Sequence, residues 1–155
     1  MLLAARIIEI LGSYYSPRGV GLATSALPIA KRGIMVKQEA LKNHLDTLRS
    51  SIPELKGVLL ASSEGLPVAH SLSNGSDPNR VAAMAAAASN LGRRISESMA
   101  TGGLAEVSIR GDEGALFVYA AGPKAVLAVL GPLDSNAGLI HLEARGTAKE
   151  IASLF

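Results

Sequence analysis

Residues 55–72 read LKGVLLASSEGLPVAHSL, two short apolar runs separated by the polar stretch SSEG. Such runs on either side of a brief polar connection are typical of a β-hairpin. Gly65 supplies the backbone freedom that a tight turn requires. Because Pro67 has no backbone N–H, the second strand is expected to have an unpaired position or to lie at a sheet edge. The stretch therefore predicts a hairpin, and the remaining elements can be placed around it.

Helices are predicted on both sides of this hairpin. A well-patterned helix is expected from Met35, and Pro53 ends it. Its apolar residues recur at helical spacing: Leu41, Leu45, Leu48 and Ile52. After the loop SNGSDP, Asp77 is the expected N-cap and Pro78 the first helical residue. The long central helix that follows is expected to run to about Ala100, where the sequence TGG ends it.

The last third of the chain predicts three strands and a helix. The runs LAEVSIR, ALFVYAA and KAVLAVLG are joined only by GDEG and GP, and connections this short force an antiparallel meander. A final helix is expected from Ser135 or Asn136, with one apolar face made of Ala137, Ile140, Ala144, Ala148, Ile151 and Phe155. The order helix, two strands, helix, three strands, helix predicts an α+β fold with a single five-stranded antiparallel sheet flanked by three helices.

The central helix contains RVAAMAAAASNLGRR (80–94), which is alanine-rich nearly all the way round. An apolar stripe at helical spacing is predicted to pack on the sheet: Val81, Met84, Ala85, Ala88, Leu91, Ile95 and Met99. The alanines on other faces are predicted to form a second buried face, because small residues let another helix approach closely. These are Ala82, Ala83, Ala86 and Ala87. The ordinary alternative is that alanine is simply the best helix former. Since the other two helices are needed on the sheet's second face, the expected partner is the same helix of a second copy in a two-fold dimer.

Composition limits the classes of function. The chain has 155 residues, of which 48% are hydrophobic, enough for one packed core. It contains no cysteine, which excludes disulfides and thiolate metal sites, so a cytoplasmic location is expected. Four basic residues and one acidic residue give residues 1–34 a charge of +3, and the total of +2 leaves −1 for the rest. With only 3% aromatic residues, nucleic-acid binding is not expected.

Residues 1–34 differ from the rest and are predicted to be an N-terminal extension to a domain spanning 35–155. The stretch MLLAARIIEILG has the apolar density of a secretion signal, but Arg6 and Glu9 interrupt it and no basic cluster precedes it. It is also too short to span a bilayer. Two interpretations stay open: a short amphipathic helix followed by a linker, or an untranslated stretch with Met35 as the biological start.

Sequence motifs for chemistry are missing. The chain has no GxxxxGK phosphate loop and is not expected to bind nucleotide. The three histidines, His44, His70 and His141, have no ligand-like spacing, so no metal site or other cofactor is expected. The carboxylates of Asp112 and Glu113 lie in a predicted tight turn, where a solvated surface explains them better than acid–base chemistry. No catalytic residue is predicted.

The hairpin and the order of elements together resemble the roadblock and dynein light chain family. The matching features are an apolar strand, a small or acidic turn ending in Gly, a strand that begins Leu-Pro-Val, a small-residue central helix and the three-strand meander. The resemblance covers about four fifths of the chain and none of residues 1–34. It implies a profilin-like sandwich and a homodimer in which the central helices meet and the third strands, with Val107 and Ile109, join two sheets.

The resemblance also implies a partner. Members of this family act as docking platforms for small Ras-like GTPases, and the bacterial gliding regulator MglB stimulates GTP hydrolysis by its partner. Eukaryotic relatives serve as dynein light chains or lysosomal scaffold subunits. The expected function is therefore that of a non-enzymatic, homodimeric regulator or scaffold for a Ras-like GTPase.

Arg93, Arg94 and Glu97 are the predicted partner-binding residues. One interpretation is a docking surface for an acidic partner, and a second is an arginine supplied to the transferring phosphate. The ordinary alternative is a solvated helix face on which Glu97 forms weak ion pairs with both arginines. Docking is favoured over catalysis, and the solvated helix face is favoured over both.

A small-ligand sensor is the alternative function, because profilin-like, PAS-like and GAF-like domains share this architecture and enclose a pocket. Such pockets usually need aromatic and polar lining residues. The body of this chain offers only Phe117, Tyr119 and Phe155 as candidates.

Overall fold

The computed structural model describes the backbone of residues 29–155 apart from Asn74, and the side chains of residues 33–155 with the same exception. The expectations for residues 1–28, including the secretion-signal question and the short helix with its linker, lie outside the described residues. Residues Gly33–Phe155 pack as one compact unit.

The elements follow the predicted order. Helix α1 spans Ile29–Ser51, and the hairpin is formed by β1 (Gly57–Ser62) and β2 (Pro67–Leu72). The central helix α2 spans Pro78–Ser98, the meander consists of β3 (Glu106–Arg110), β4 (Ala115–Ala120) and β5 (Ala125–Gly131), and helix α3 spans Ala137–Ala152. Helix α1 begins six residues before Met35, so the expectation that this helix begins at Met35 is wrong.

The five strands form one antiparallel sheet in the order β2-β1-β5-β4-β3. β5 returns beside β1 and closes the meander onto the hairpin, which confirms the predicted sheet. β2 and β3 are the two edges. The prediction for Pro67 is confirmed, since it begins edge strand β2 opposite Ala61, next to an irregularity in the register. The turn between β1 and β2 passes through Gly65 at φ +92°, a value that favours glycine.

Two hydrophobic cores lie on the two faces of the sheet. One packs α1 and α3 against the sheet and contains the four predicted α1 residues together with Ile140, Ala144, Ala148 and Ile151 of α3. Phe155 is the exception to the predicted α3 face, because the helix ends at Ala152 and leaves the ring about half exposed. The second core packs α2 against the other face of the sheet.

The ends of the helices follow local signals. The Asp77 side chain accepts a hydrogen bond of 3.0 Å from the backbone N–H of Asn79, and Pro78 is the first residue of α2, as predicted. Asn136 caps α3 by accepting from the N–H of Leu139. Helix α2 ends at Ser98, two residues earlier than expected, and the chain turns through Ala100 in the left-handed region at φ 54°.

Candidate interaction surface

The side of α2 that faces the sheet is built from small residues. Those buried are Ala82, Ala85, Ala86, Ser89 and Ser96. The three alanines pack on Leu59, Ala61 and other strand residues of the second core. Small side chains allow the helix axis to lie close to the sheet, and the branched and bulky residues of the strands fill the space between the two.

The predicted sheet-facing stripe is therefore wrong for most of its members. Only Ala85 of that stripe is buried, while Val81 and Ala88 are half-buried. The remaining four residues point away from the sheet: Met84, Leu91, Ile95 and Met99. The prediction failed because α2 has two apolar stripes at helical spacing, and it assigned the bulkier one to the sheet.

The four alanines predicted for a dimer interface fall into two pairs. Ala82 and Ala86 are buried against the sheet of their own chain, so their placement on a surface for a second copy is corrected to the core. Ala83 and Ala87 are exposed. Ala83 lies beside the hairpin turn, where a Cβ built on Gly65 would come within 3.1 Å of its Cα atom. Alanine is thus used on two sides of the helix where close packing requires it.

The outward face of α2 carries a continuous apolar stripe, which we call the outer stripe. Its large members are Met84 (59% exposed), Leu91 (57%), Ile95 (51%) and Met99 (69%), with Ala87 and Ala88 between them. Single exposed apolar residues are ordinary on a protein surface, but a row of four on one helix face makes this face the candidate interaction surface. This face replaces the predicted alanine face as the surface that is left for a partner.

Edge strand β3 lies beside the outer stripe. Val107 and Ile109 alternate with the polar residues of β3 and pair with Val118 and Leu116 of β4. Val107 is half-buried under α2 at Gly92, where a Cβ would come within 2.7 Å of its side chain. Ile109 is about half exposed. Among the described residues, β3 pairs only with β4, so its other edge retains unpaired backbone groups.

The predicted partner-binding residues Arg93, Arg94 and Glu97 are exposed in the C-terminal half of α2. Within the described part of the chain, none of them forms an ion pair, so the expected weak pairing of Glu97 with the arginines is not observed. They lie one to two turns beyond Asn90, whose side-chain amide donates a 3.3 Å hydrogen bond to the carbonyl of Ser63 in the hairpin turn. The three charged groups therefore continue the flank of α2 that the hairpin turn borders.

A polar cluster joins α3 to the first residue of β3. The ring of His141 contacts the carboxylate of Glu106 through Nδ1. Arg145, one turn further along α3, donates to its Nε2 over 3.2 Å. Tyr119 pairs with Glu106 across the β3–β4 ladder, and its ring lies 5.9 Å from that of His141. Burial raises the pKa of Tyr119 well above its ordinary value, and the negative charge of Glu106 is the second largest cause of this rise.

This cluster was not predicted. Its one sequence signal is the spacing of His141 and Arg145, which places both on the same side of a helix. The cluster contacts the beginning of edge strand β3 from the face of the sheet opposite α2. Edge strand β3 is therefore packed on both faces, by α3 on one and by α2 on the other.

The other histidines have separate surroundings. The Nδ1 atom of His44 on α1 lies 3.1 Å from the Oε2 atom of Glu150 on α3. His70 is exposed on edge strand β2. No group of three acidic or histidine side chains in the described ranges is placed to hold a metal ion.

None of the helices that the structure describes is both long enough and apolar enough to cross a membrane.

The fold, the outer stripe and the free strand edge define a class: an α+β interaction domain of the roadblock and profilin-like type. The family model of the Roadblock/LC7 domain matches residues 41–131. The chain therefore belongs to the Roadblock/LC7 family, whose domains are generally regulatory or scaffold modules.

Individual proteins support this assignment. An uncharacterized protein of Methanocaldococcus jannaschii is 32% identical over 101 residues, which cover 65% of this chain and 85% of that protein. The Roadblock/LC7 domain from Streptomyces avermitilis has a TM-score of 0.68 at 24% identity, covering 72% of this chain and 94% of the other. MglB of Myxococcus xanthus has a TM-score of 0.69 at 17% identity, covering 76% and 89%. At these identities the two structures show a shared fold.

Proposed function

We propose that this protein is a non-enzymatic homodimer that binds a small Ras-like GTPase and modulates its GTP hydrolysis or its location in the cytoplasm. The observation that carries the proposal is an outer stripe of four large apolar side chains beside a free strand edge, in a chain that belongs to the Roadblock/LC7 family.

The dimer is supported by the geometry of this surface. A two-fold axis beside β3 pairs the β3 edges of two copies and brings the two outer stripes together. The stripe is self-complementary in chemistry, since all its members are apolar. The proposed interface then consists of the outer stripe, which includes Ala87, together with Ala83, Val107 and Ile109.

The GTPase partner is supported by the family expectation and by the fold shared with MglB. Arg93, Arg94 and Glu97 remain the proposed partner-binding residues, because they are exposed and do not pair with one another. In this proposal the arginines dock the partner, and the dimer acts by repositioning catalytic groups that the GTPase itself supplies.

The experiment has two arms and uses the purified full-length chain. Sedimentation velocity gives its oligomeric state. Each Ras-like GTPase encoded by the source organism is then purified, loaded with GDP or with a non-hydrolysable GTP analogue, and titrated against the chain by calorimetry, and GTP turnover is measured in parallel.

The expected result is a dimer that binds one of these GTPases in a nucleotide-dependent manner. A stable dimer that binds none of them in either state contradicts the GTPase proposal and directs attention to ligand screening for a sensor domain. A monomer contradicts the dimer proposal whatever the GTPase result.

A further inference from the structure

Edge strand β3 has the sequence EVSIR over Glu106–Arg110, which is complementary to its own reversed copy. An acidic residue begins the strand and a basic residue ends it. Two branched apolar residues lie inside them, with Ser108 at the centre. Two such strands that run antiparallel can bring opposite charges together at both ends and apolar residues together between them.

The side chains of β3 are divided between the two faces of the sheet. Glu106, Ser108 and Arg110 pair with β4 residues that belong to the core under α1 and α3. Val107 and Ile109 pair with β4 residues that pack in the core under α2. Residues that lie opposite each other in antiparallel strands point to the same face of the sheet. The charged ends of β3 therefore lie on the α3 face, and its apolar residues lie on the face that carries the outer stripe.

The backbone groups at the free edge belong to the same residues as the charges. The N–H of Gly111 donates to the carbonyl of Gly114 over 2.9 Å and closes the β3–β4 hairpin. Hydrogen-bonded pairs and non-hydrogen-bonded pairs alternate along an antiparallel ladder. Counting back from Gly111, the N–H and C=O groups of Ile109 and Val107 are directed at β4. Those of the other three β3 residues point to the edge that no described strand covers, where a further strand can bind them.

Both charged side chains are held on the α3 face within the single chain. The Oε2 atom of Glu106 contacts the ring of His141. The guanidinium carbon of Arg110 lies 5.9 Å from the centre of the Phe117 ring, within the range of a cation–π contact. Roughly 13 Å of strand separates the Cα atoms of the two charged residues, and in the described structure they form no ion pair with each other. Side chains that are already held in place lose less entropy when a partner binds them.

We propose that β3 selects a second copy of this chain as its partner, and that Glu106 and Arg110 fix the register in which the two copies pair. In this register Ser108 lies on the two-fold axis, opposite the same residue of the second copy. Glu106 then faces Arg110 of the second copy at both ends of the paired strands. On the other face, Val107 lies opposite Ile109 of the second copy, next to the outer stripes.

Other registers satisfy the strand less well. A shift of two residues in either direction keeps the faces of the two sheets matched. It leaves one charged residue opposite Ser108, however, and the other beyond the end of the partner strand. This inference rests on the dimer of the proposed function, and it specifies the register of that dimer and its preference for an identical chain.

The first test reverses the charges in full-length chains. Glu106→Lys and Arg110→Glu each place like charges opposite each other at both ends of the paired strands. The dimer dissociation constant of each variant is therefore expected to rise about tenfold or more. An equimolar mixture of the two variants restores both pairs of opposite charges, so a heterodimer of about wild-type affinity is expected. Sedimentation equilibrium measures the three samples, and the matched control is Lys124→Glu, a reversed charge at an exposed residue in the β4–β5 turn.

The second test reports the register directly. The chain contains no cysteine, so a single introduced cysteine reports only on its own position. Opposite residues of a hydrogen-bonded pair have Cα atoms about 5.5 Å apart, within the range of about 4.4–6.8 Å found for disulfides. Ser108→Cys should therefore form a disulfide-linked dimer under mild oxidation, seen on a non-reducing gel. Ile109→Cys should not, because the two copies of residue 109 are diagonal neighbours about 8 Å apart.

Weak self-association of both charge variants, a restored heterodimer and cross-linking of Ser108→Cys alone support the inference. Wild-type affinity in both charge variants overturns it, and so does a mixture that associates no better than its components. Cross-linking through Ile109→Cys instead of Ser108→Cys shows a different register and also overturns it. These results leave the proposed function intact as long as the wild type is a dimer, whereas a monomeric wild type contradicts the proposed dimer and this inference together.

Discussion

Leu91→Ala tests the outer stripe most directly, because this residue lies at the centre of the stripe and is exposed in the single chain. Covering a whole leucine side chain is worth about 1.5–3 kcal/mol. Leu91 is 57% exposed, so the part left for a partner to cover is worth about 1 kcal/mol. A two-fold interface contains the residue twice, and the substitution therefore weakens the dimer by about 2 kcal/mol. Since about 1.4 kcal/mol corresponds to a factor of ten, the dimer dissociation constant should rise about 30-fold.

Sedimentation equilibrium over a wide range of concentrations measures this constant for the full-length chain. The matched control is Leu142→Ala, which truncates a leucine that is 69% exposed on α3, on the other face of the sheet. Urea denaturation of both variants, each at a concentration where it is monomeric, checks that the folded monomer is intact. Little change is expected there, because both side chains are largely exposed in the monomer.

A dimer in Leu91→Ala that is as tight as the wild type refutes the assignment of the outer stripe to the interface. A loss of the same size in Leu142→Ala also refutes it, because the two copies then meet through α3 or through both faces.

Three further substitutions test other parts of the structure. Ala100→Gly relieves a left-handed backbone conformation and should stabilise the fold by about 1 kcal/mol, seen as a higher urea midpoint; an unchanged or lower midpoint contradicts the strain. The raised pKa of Tyr119 contributes stability that is present below the ordinary value of 10.0 and is lost as pH rises above it, so unfolding free energies of wild type and Tyr119→Phe, measured from pH 8 to 11, should show a steeper alkaline fall in the wild type. Parallel curves count against the burial of its hydroxyl. Arg93→Ala combined with Arg94→Ala should weaken GTPase binding while the complex that still forms retains its effect on hydrolysis, whereas full occupancy with no acceleration indicates a catalytic arginine.

Local signals in the sequence predicted most of the fold. The hairpin, the meander and the caps at Asp77 and Asn136 depend on residues that are close together in the chain, and the structure confirms them. The start of α1 at Ile29 was missed, because the apolar pattern at helical spacing begins only at Leu41, and Pro28, which immediately precedes the helix in the sequence, was not used as a start signal.

The orientation of α2 could not be predicted from periodicity. Its small residues and its large residues both recur every three or four positions, so a helical wheel shows two candidate faces. The information that separates them is the space beside the helix. Gly65 and Gly92 lie where the hairpin turn and β3 approach α2, and a closely approached helix favours alanine on the approached sides. One glycine in the hairpin turn and one within α2 were thus the signal that could have reversed the prediction.

The cluster of Glu106, Tyr119, His141 and Arg145 depends on tertiary structure. It requires the β3–β4 register that places Glu106 opposite Tyr119, and it requires α3 to cross the sheet at that position. Neither is encoded in a local pattern. The flank that joins the hairpin turn to Asn90 was missed for the same reason.

Together, the three sides of α2 explain why the helix is rich in alanine and why its large residues are exposed. Ala82, Ala85 and Ala86 allow the helix to lie close to the sheet, so the sheet core is completed without the large side chains of α2. Those side chains are then left on the outside, where they reduce solubility unless another surface covers them. A polar outer face would serve a monomer better at no cost to the core. The exposure of Met84, Leu91, Ile95 and Met99 is therefore the basis of the proposed interface, and the dimer experiment decides whether a second copy covers them.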